Sequence, residues 1–461
     1  MSLTTELPRA STASPSDPAI AFAVKLGTAL HQYGMPAHLL EATMQAVASR
    51  LGIDGHFFVT PTGIFASFGT PEEQRTTMVR VQPGSVNLEK TILLDELTRS
   101  VIAGETETTT ASGQIDEIVA RPSRYGRAVT AIGFGLASAT SARFFGGGWR
   151  EIAGAAVIGV VTGVLAVLLE RWGSTARVFE PVASMVAAAL AVLLAQAFAP
   201  ASIYVMTVAG LIVLLPGLTL TIAMRELASQ NLVAGTARLT GAGLVFFEMG
   251  FGVALGGQLI KLFPGANAFA EPIPLPVWTE GIAILVSSLG LTVLFKARPR
   301  DYGSVLIAAI VAFWGARAGT SLLGPELGVC IGAMALGITA NALSRIVDRP
   351  SATWVVPGLM VLVPGSLGFG SVSQLIASDV VSGVETAFQM LLVAVGLVTG
   401  LLLSNVFVPP RREVGSASSL ELPRTPEPRS APASLRFQAP SVGRSQLLAA
   451  QGAGTRIERC G

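Results

Sequence analysis

The residues best suited to chemistry in this chain are two Pro-Gly steps, each set in an apolar run and each followed by hydroxyl groups. Thr219 and Thr221 follow Pro216-Gly217, and Ser366 follows Pro364-Gly365. Proline removes a backbone donor and glycine loosens the backbone, so each step should interrupt a hydrophobic helix partway along. An interrupted helix exposes N–H groups at the start of its second half, where a carboxylate can bind, and it frees carbonyls for an ammonium. The candidate substrate-binding set is therefore Pro216, Gly217, Thr219, Thr221, Pro364, Gly365 and Ser366. The chemistry expected of it is reversible binding of a small polar solute.

The two steps belong to a repeat. Gly210 to Gly217 recurs as Gly358 to Gly365 at an offset of 148, and the register runs on through Leu227/Leu375 and Val233/Val381 to Gly235/Gly383. A lone Pro-Gly step in a membrane helix is commonly a packing kink. Two in corresponding halves are the sequence pointer to a transporter's site.

A second candidate is Glu248, in Val245-Phe246-Phe247-Glu248-Met249-Gly250-Phe251. An ionisable group inside an apolar span is costly unless it faces a cavity or a partner, so proton coupling is its expected role. The bland alternative is a structural pair with Arg238, and Glu226 or Glu385 is the next acid to consider. Asn341 and Asn405 suit hydrogen bonds between helices, and Arg317 either neutralises a carboxylate or reaches the interface. A metal site would need His31, His38 and His56 to converge with a carboxylate such as Glu41. No cofactor motif, Walker loop, Gly-x-Ser-x-Gly elbow or His-Glu-x-x-His is found, so the chain does not read as an enzyme or an ATP-driven pump. Cys330 and Cys460 are too far apart in sequence to suggest a disulfide framework.

The elements that must carry these residues are membrane helices. Of 461 residues, 51% are hydrophobic and 13% charged, and the mean hydropathy is +0.61. Soluble chains carry about 25% charge, so most of this one does not face water. Ten spans are expected at roughly 126–145, 151–170, 181–199, 203–223, 238–262, 276–296, 303–320, 325–344, 352–372 and 383–408. Arg150-Glu151 before span two matches Arg300-Asp301 before span seven, and Pro200 with Tyr204 matches Pro350 with Trp354. The predicted fold is an all-α membrane bundle of two five-helix repeats, 126–262 and 263–408.

An odd number of spans per copy inverts the second copy. With the N-terminus inside, only Arg143, Arg150, Lys261 and Arg317 among the loop cations fall outside, which satisfies the positive-inside rule. Residues 1–18 and 409–461 read as disordered, the latter as a cytoplasmic tail. Residues 19–125 read as a soluble cytoplasmic α+β domain. Gly34 stops a first helix, Pro36 opens a second, Thr60-Pro61-Thr62-Gly63 turns a hairpin, Met78 to Val81 forms a third strand, and Asn87 caps a helix. No cationic stretch followed by an apolar one opens the chain, so no cleavable leader is expected. A net charge of +2 points to no nucleic acid.

Leu215-Pro216-Gly217-Leu218-Thr219-Leu220-Thr221 with Gly235-Thr236-Ala237-Arg238-Leu239 resembles the core motif of the threonine/serine exporter family. Tyr33-Gly34-Met35-Pro36-Ala37-His38, Thr60-Pro61-Thr62-Gly63 and Val363-Pro364-Gly365-Ser366 are similar to its other motifs. The likeness covers about residues 20–408. It implies a multi-pass inner-membrane carrier that exports threonine, serine or related small acids on the proton gradient. Its partners would be the amino acid, protons and the bilayer, with a homo-oligomer left open. Two rivals remain: a passive channel, and a membrane-anchored enzyme or sensor.

Overall fold

The computed structural model describes residues 18–70, 72–169, 178–258, 271–362 and 364–410. The expectations for 1–17 and 411–461, including Cys460, lie outside the described residues.

The chain opens with an α/β unit. Helices α1 (Pro18–Gln32) and α2 (Ala37–Arg50) precede an antiparallel sheet of β1 (Gly55–Thr60), β2 (Gly63–Phe68) and β3 (Arg75–Arg80), in the order β1-β2-β3. Gly34 takes φ +91° and Pro36 serves as the N-cap of α2, so the α1–α2 joint forms where the sequence expects it. The hairpin closes through Thr60↔Gly63, but β3 starts three residues before the expected strand and ends at Arg80. Helices α3 (Leu88–Ala103) and α4 (Thr108–Ala120) follow, and the Asn87 side chain caps α3 by accepting the Lys90 N–H at 3.0 Å. Phe22, Leu26, Leu30, Leu40, Met44, Ile64, Leu94 and Ile115 form the core of the unit, and Ala234 from a later helix belongs to the same cluster. The unit is thus packed on the helices that follow it.

Those helices are α5 (Arg127–Phe144), α6 (Trp149–Leu169), α7 (Phe179–Ala197), α8 (Ile203–Gly210), α9 (Gly217–Ala228) and α10 (Leu232–Gly257), then α11 (Trp278–Leu294), α12 (Tyr302–Leu323), α13 (Pro325–Val347), α14 (Ala352–Leu362), α15 (Gly365–Ile376) and α16 (Val380–Phe407). Seven stretches among the described residues are long and apolar enough to cross a membrane: α6, α7, α10, α12, α13, α14 with α15, and α16. That is fewer than the ten expected. Helix α11 is apolar but has 17 residues, α8 and α9 are short because the chain breaks between them, and α5 is diluted by Ser, Thr and Gly and ends near Arg143. Large apolar side chains such as Val157, Leu168, Leu289, Leu392 and Phe407 point outward, as bilayer-facing residues do.

Close helix approaches rest on glycine. A Cβ on Gly252 or Gly256 of α10 would run into the backbone oxygens of Pro181 and Met185 on α7, and one on Gly400 of α16 into that of Cys330 on α13. Small residues one turn apart let two backbones meet in this way. Helix α6 packs on α8 as α12 packs on α14, and α9 packs on α10 as α15 packs on α16.

Candidate functional site

Both Pro-Gly steps break their helices. After Gly210 the chain tightens: the Leu214 N–H bonds to the Leu211 carbonyl at 2.8 Å and the Gly217 N–H to the Leu215 carbonyl at 2.8 Å. Pro216 (φ −77°, ψ 38°) then starts α9, and Pro364 (φ −81°, ψ 21°) starts α15 with nearly the same backbone. The freed carbonyl of Gly210 is not left open for an ammonium, as the sequence suggested. It accepts from the Ser138 hydroxyl at 3.3 Å and the Thr162 hydroxyl at 3.4 Å, on α5 and α6. A buried carbonyl without a partner would be costly, and these hydroxyls remove that cost.

The structure brings the two breaks together. A Cβ built on Gly365 would lie 3.1 Å from Leu215 Cβ and 3.5 Å from both Gly217 Cα and Gly217 N. The N-terminal ends of α9 and α15 therefore meet. The first-turn amides of each, Leu218 and Thr219 in one and Ser366 and Leu367 in the other, have no acceptor within their own helix. Two positive helix ends in contact favour an anion between them. Thr221 is less available than expected, because its hydroxyl is buried and donates to the Gly217 carbonyl at 3.0 Å. Thr219 and Ser366 are half-buried beside the breaks.

A cavity of about 330 Å³ lies between the N-terminal unit and α9, just past the first break. Of the seven candidate residues it is lined by Thr221 alone, and Pro216, Gly217, Thr219, Pro364, Gly365 and Ser366 are not in its wall. Leu218 and Thr221 on α9 line one side, Tyr33, Met35 and His38 another, and Asn341 and Asn405 a third. Burial, with the nearby Arg225 guanidinium, pushes His38 down to about 3, so its imidazole is neutral. His31 is likewise held below its usual value by burial and Arg238, and its Nε2 sits 3.1 Å from the Pro61 carbonyl. Glu41 is raised by burial and by Glu226, against the Val59 N–H that it accepts at 2.7 Å. Among the described residues no group of His, Cys, Asp or Glu could hold a metal ion.

Glu248 is half-buried on α10 and has no hydrogen bond or ion pair among the described residues. It is not paired with Arg238, and it does not belong to the cavity lining. Its charge reaches Glu180 at the start of α7. Arg238 instead meets Glu226, a fully buried acid on α9, with Nε 3.0 Å from Oε2. Arg317 neutralises Glu280 at 2.7 Å, and Arg143 approaches the same carboxylate at 3.5 Å. Asn341 donates to Asn405 at 2.9 Å and joins α13 to α16, the interhelical role expected of the pair.

Glu151, Glu226, Glu280 and Asp301 are buried acids that hydropathy does not single out. The repeat carries a signal for three of them. Glu151 accepts the Ser202 N–H before α8, while Asp301 pairs with Arg349 before α14. Glu226 and Arg238 stand where Gln374 and Thr386 stand in the second half, and the Thr386 hydroxyl donates to Gln374 at 2.8 Å. Gly235 packs against Leu227, and Gly383 packs in the same way against Leu375.

Comparison with known proteins agrees with the likeness of the motifs. Residues 21–260 match the family model ThrE, described as "Putative threonine/serine exporter". Residues 280–407 match ThrE_2, described as "Threonine/Serine exporter, ThrE". The chain is 27% identical over 419 residues to a pheromone-regulated membrane protein 10 of Eremothecium gossypii, covering 84% of this chain and 56% of that one. The protein of that name in Debaryomyces hansenii is 26% identical (84% and 42% covered), and the one in Saccharomyces cerevisiae 25% (84% and 54%). The chain thus spans about half the length of these curated relatives. No solved structure matches.

Proposed function

This chain belongs to the threonine/serine exporter family, and we propose that it works as a secondary carrier exporting threonine, serine or related small polar metabolites by proton antiport. It is a multi-pass membrane protein. The observation that carries the reading is the meeting of the two Pro-Gly turns, with Gly365 against Gly217 and Leu215. Two helix N-termini there can hold a substrate carboxylate through backbone N–H groups, while Thr219 and Ser366 stand within the same turns. The residues proposed to bind substrate are Pro216, Gly217, Thr219, Thr221, Pro364, Gly365 and Ser366.

In this reading the bundle has ten spans, since α5, α11 and the α8–α9 pair cross along with the seven longer stretches. They form two inverted five-helix repeats with both chain ends cytoplasmic. Supporting this are the paired contacts Gly235–Leu227 with Gly383–Leu375, and Glu226–Arg238 with Gln374–Thr386. Rocking one repeat against the other would expose the breaks to each side in turn. Proton coupling falls to Glu248, on the helix that packs Phe246 and Gly250 against α15, with Glu180 as its charged neighbour.

Radiolabelled threonine or serine uptake into inside-out vesicles tests the proposal. Uptake should collapse on adding an uncoupler, and replacing Pro216-Gly217 by Ala-Ala should abolish it while insertion persists. Uptake that survives the uncoupler would turn the reading to a passive channel.

A further inference from the structure

The α/β unit packs on both halves of the bundle, through Ala234 in the first and through Leu291, Phe295 and Val305 in the second. The start of α2, however, bonds to the first half, and one pair of positions records the difference. Glu226 on α9 corresponds to Gln374 on α15, and Arg238 on α10 to Thr386 on α16, at the same offset of 148 as the Pro-Gly steps. Each pair joins a half-helix to the helix after it, but the first is an ion pair and the second a neutral hydrogen bond. Desolvating two charges is much more costly than burying an amide and a hydroxyl. A neutral pair serves at the second position, so the charge at the first needs another reason.

That reason lies at the start of α2. Pro36, its N-cap, offers no side-chain acceptor, so the first amides of α2 need one from outside. The Ala37 N–H donates to Glu226 Oε1 at 2.9 Å, and both residues are buried. A carboxylate at a helix N-terminus accepts a charge-assisted bond and meets the positive end of the helix dipole, a double attraction that an amide lacks. One carboxylate therefore ties together α2, α9 and α10.

We propose that Glu226 is a positioning residue: it fastens the distal end of α9 to the N-terminal unit, so that this unit sets how Leu218, in the turn just past the Pro216-Gly217 break, presents to the cavity. The proposal rests on the carrier reading above. Glu226 lies nine residues beyond Gly217, about 14 Å along a rigid helix, so a displacement at one end reaches the other. The unit that holds this lever also walls the cavity, with Tyr33, Met35 and His38 across from Leu218 and Thr221.

The test compares the parent protein with the double variant Glu226→Gln/Arg238→Thr, both carrying Leu218→Cys in a Cys330→Ala/Cys460→Ala background. The double variant copies the neutral pair of the second half, so the α9–α10 joint should hold, as size-exclusion elution and melting will check. Amide hydrogen exchange over residues 37–40 should accelerate at least tenfold, and maleimide labelling at the Leu218→Cys site should change at least fivefold. Ala37→Pro removes the same bond from the other side, since proline is tolerated in the first turn of a helix, and should produce both changes. If the double variant does not fold, Ala37→Pro decides. Unchanged exchange and labelling would overturn the proposal. Faster exchange with unchanged labelling would also overturn it, because the junction would then hold the unit without positioning Leu218. Neither readout needs substrate: a parent protein that moves no threonine or serine would sink the carrier reading and leave this one to stand or fall on its own.

Discussion

Gly365 is where the contact between the two breaks can be tested most sharply. Its backbone is unstrained, so a side chain is opposed only by its neighbours. An added Cβ would sit 3.1 Å from Leu215 Cβ and 3.5 Å from the Cα and N of Gly217. Carbon atoms pack comfortably at about 3.5–4.0 Å, so Gly365→Ala forces a shift of a few tenths of an ångström. Overpacking of this kind costs about 1 kcal/mol at the low end and about 3 kcal/mol for a larger side chain. If the half-helices must return to this contact in each cycle, the cost falls on turnover. At about 1.4 kcal/mol per tenfold in rate, Gly365→Ala should slow export about fivefold and Gly365→Leu about a hundredfold. Efflux of labelled threonine or serine from proteoliposomes, normalised to inserted protein, measures both. A Leu variant that inserts normally and turns over like the parent would refute the idea that the breaks work by meeting.

Three further outcomes are expected. An impermeant thiol reagent on intact cells should label Ser378→Cys and not Ser229→Cys; the opposite pattern would reverse the proposed orientation. Glu248→Gln should abolish gradient-driven export while substrate exchange persists, and accumulation against a gradient by this variant would remove Glu248 as the coupling site. The folded N-terminal unit holds His38 neutral down to about 3, whereas the unfolded chain protonates it near 6.5. Its stabilising contribution is therefore complete above pH 6.5 and is lost as pH falls, by about 1.4 kcal/mol per unit from this one group. Denaturant midpoints should fall between pH 7.5 and 5.5, and His38→Gln should flatten the slope; an unchanged slope would remove His38 as its source.

What the amino-acid sequence determined by itself is local chemistry. Pro216 and Pro364 lack an N–H wherever they sit, so the breaks, the repeat that relates them and the Gly34-Pro36 and Asn87 punctuation were legible without coordinates. Helix pairing was not. In a membrane both the core and the lipid are apolar, so hydropathy cannot tell Phe246, buried against α15, from its neighbour Phe247, which faces out. The same blindness hid which acids are buried and what they pair with, since a carboxylate inside is tolerable only if its partner arrives from another element. Tertiary structure alone decided that Arg238 takes Glu226 and not Glu248. It likewise brought Ser138 and Thr162, 72 and 48 residues away in sequence, to the Gly210 carbonyl. Backbone breaks are written in residue types, whereas the partners that make a break tolerable are chosen by packing.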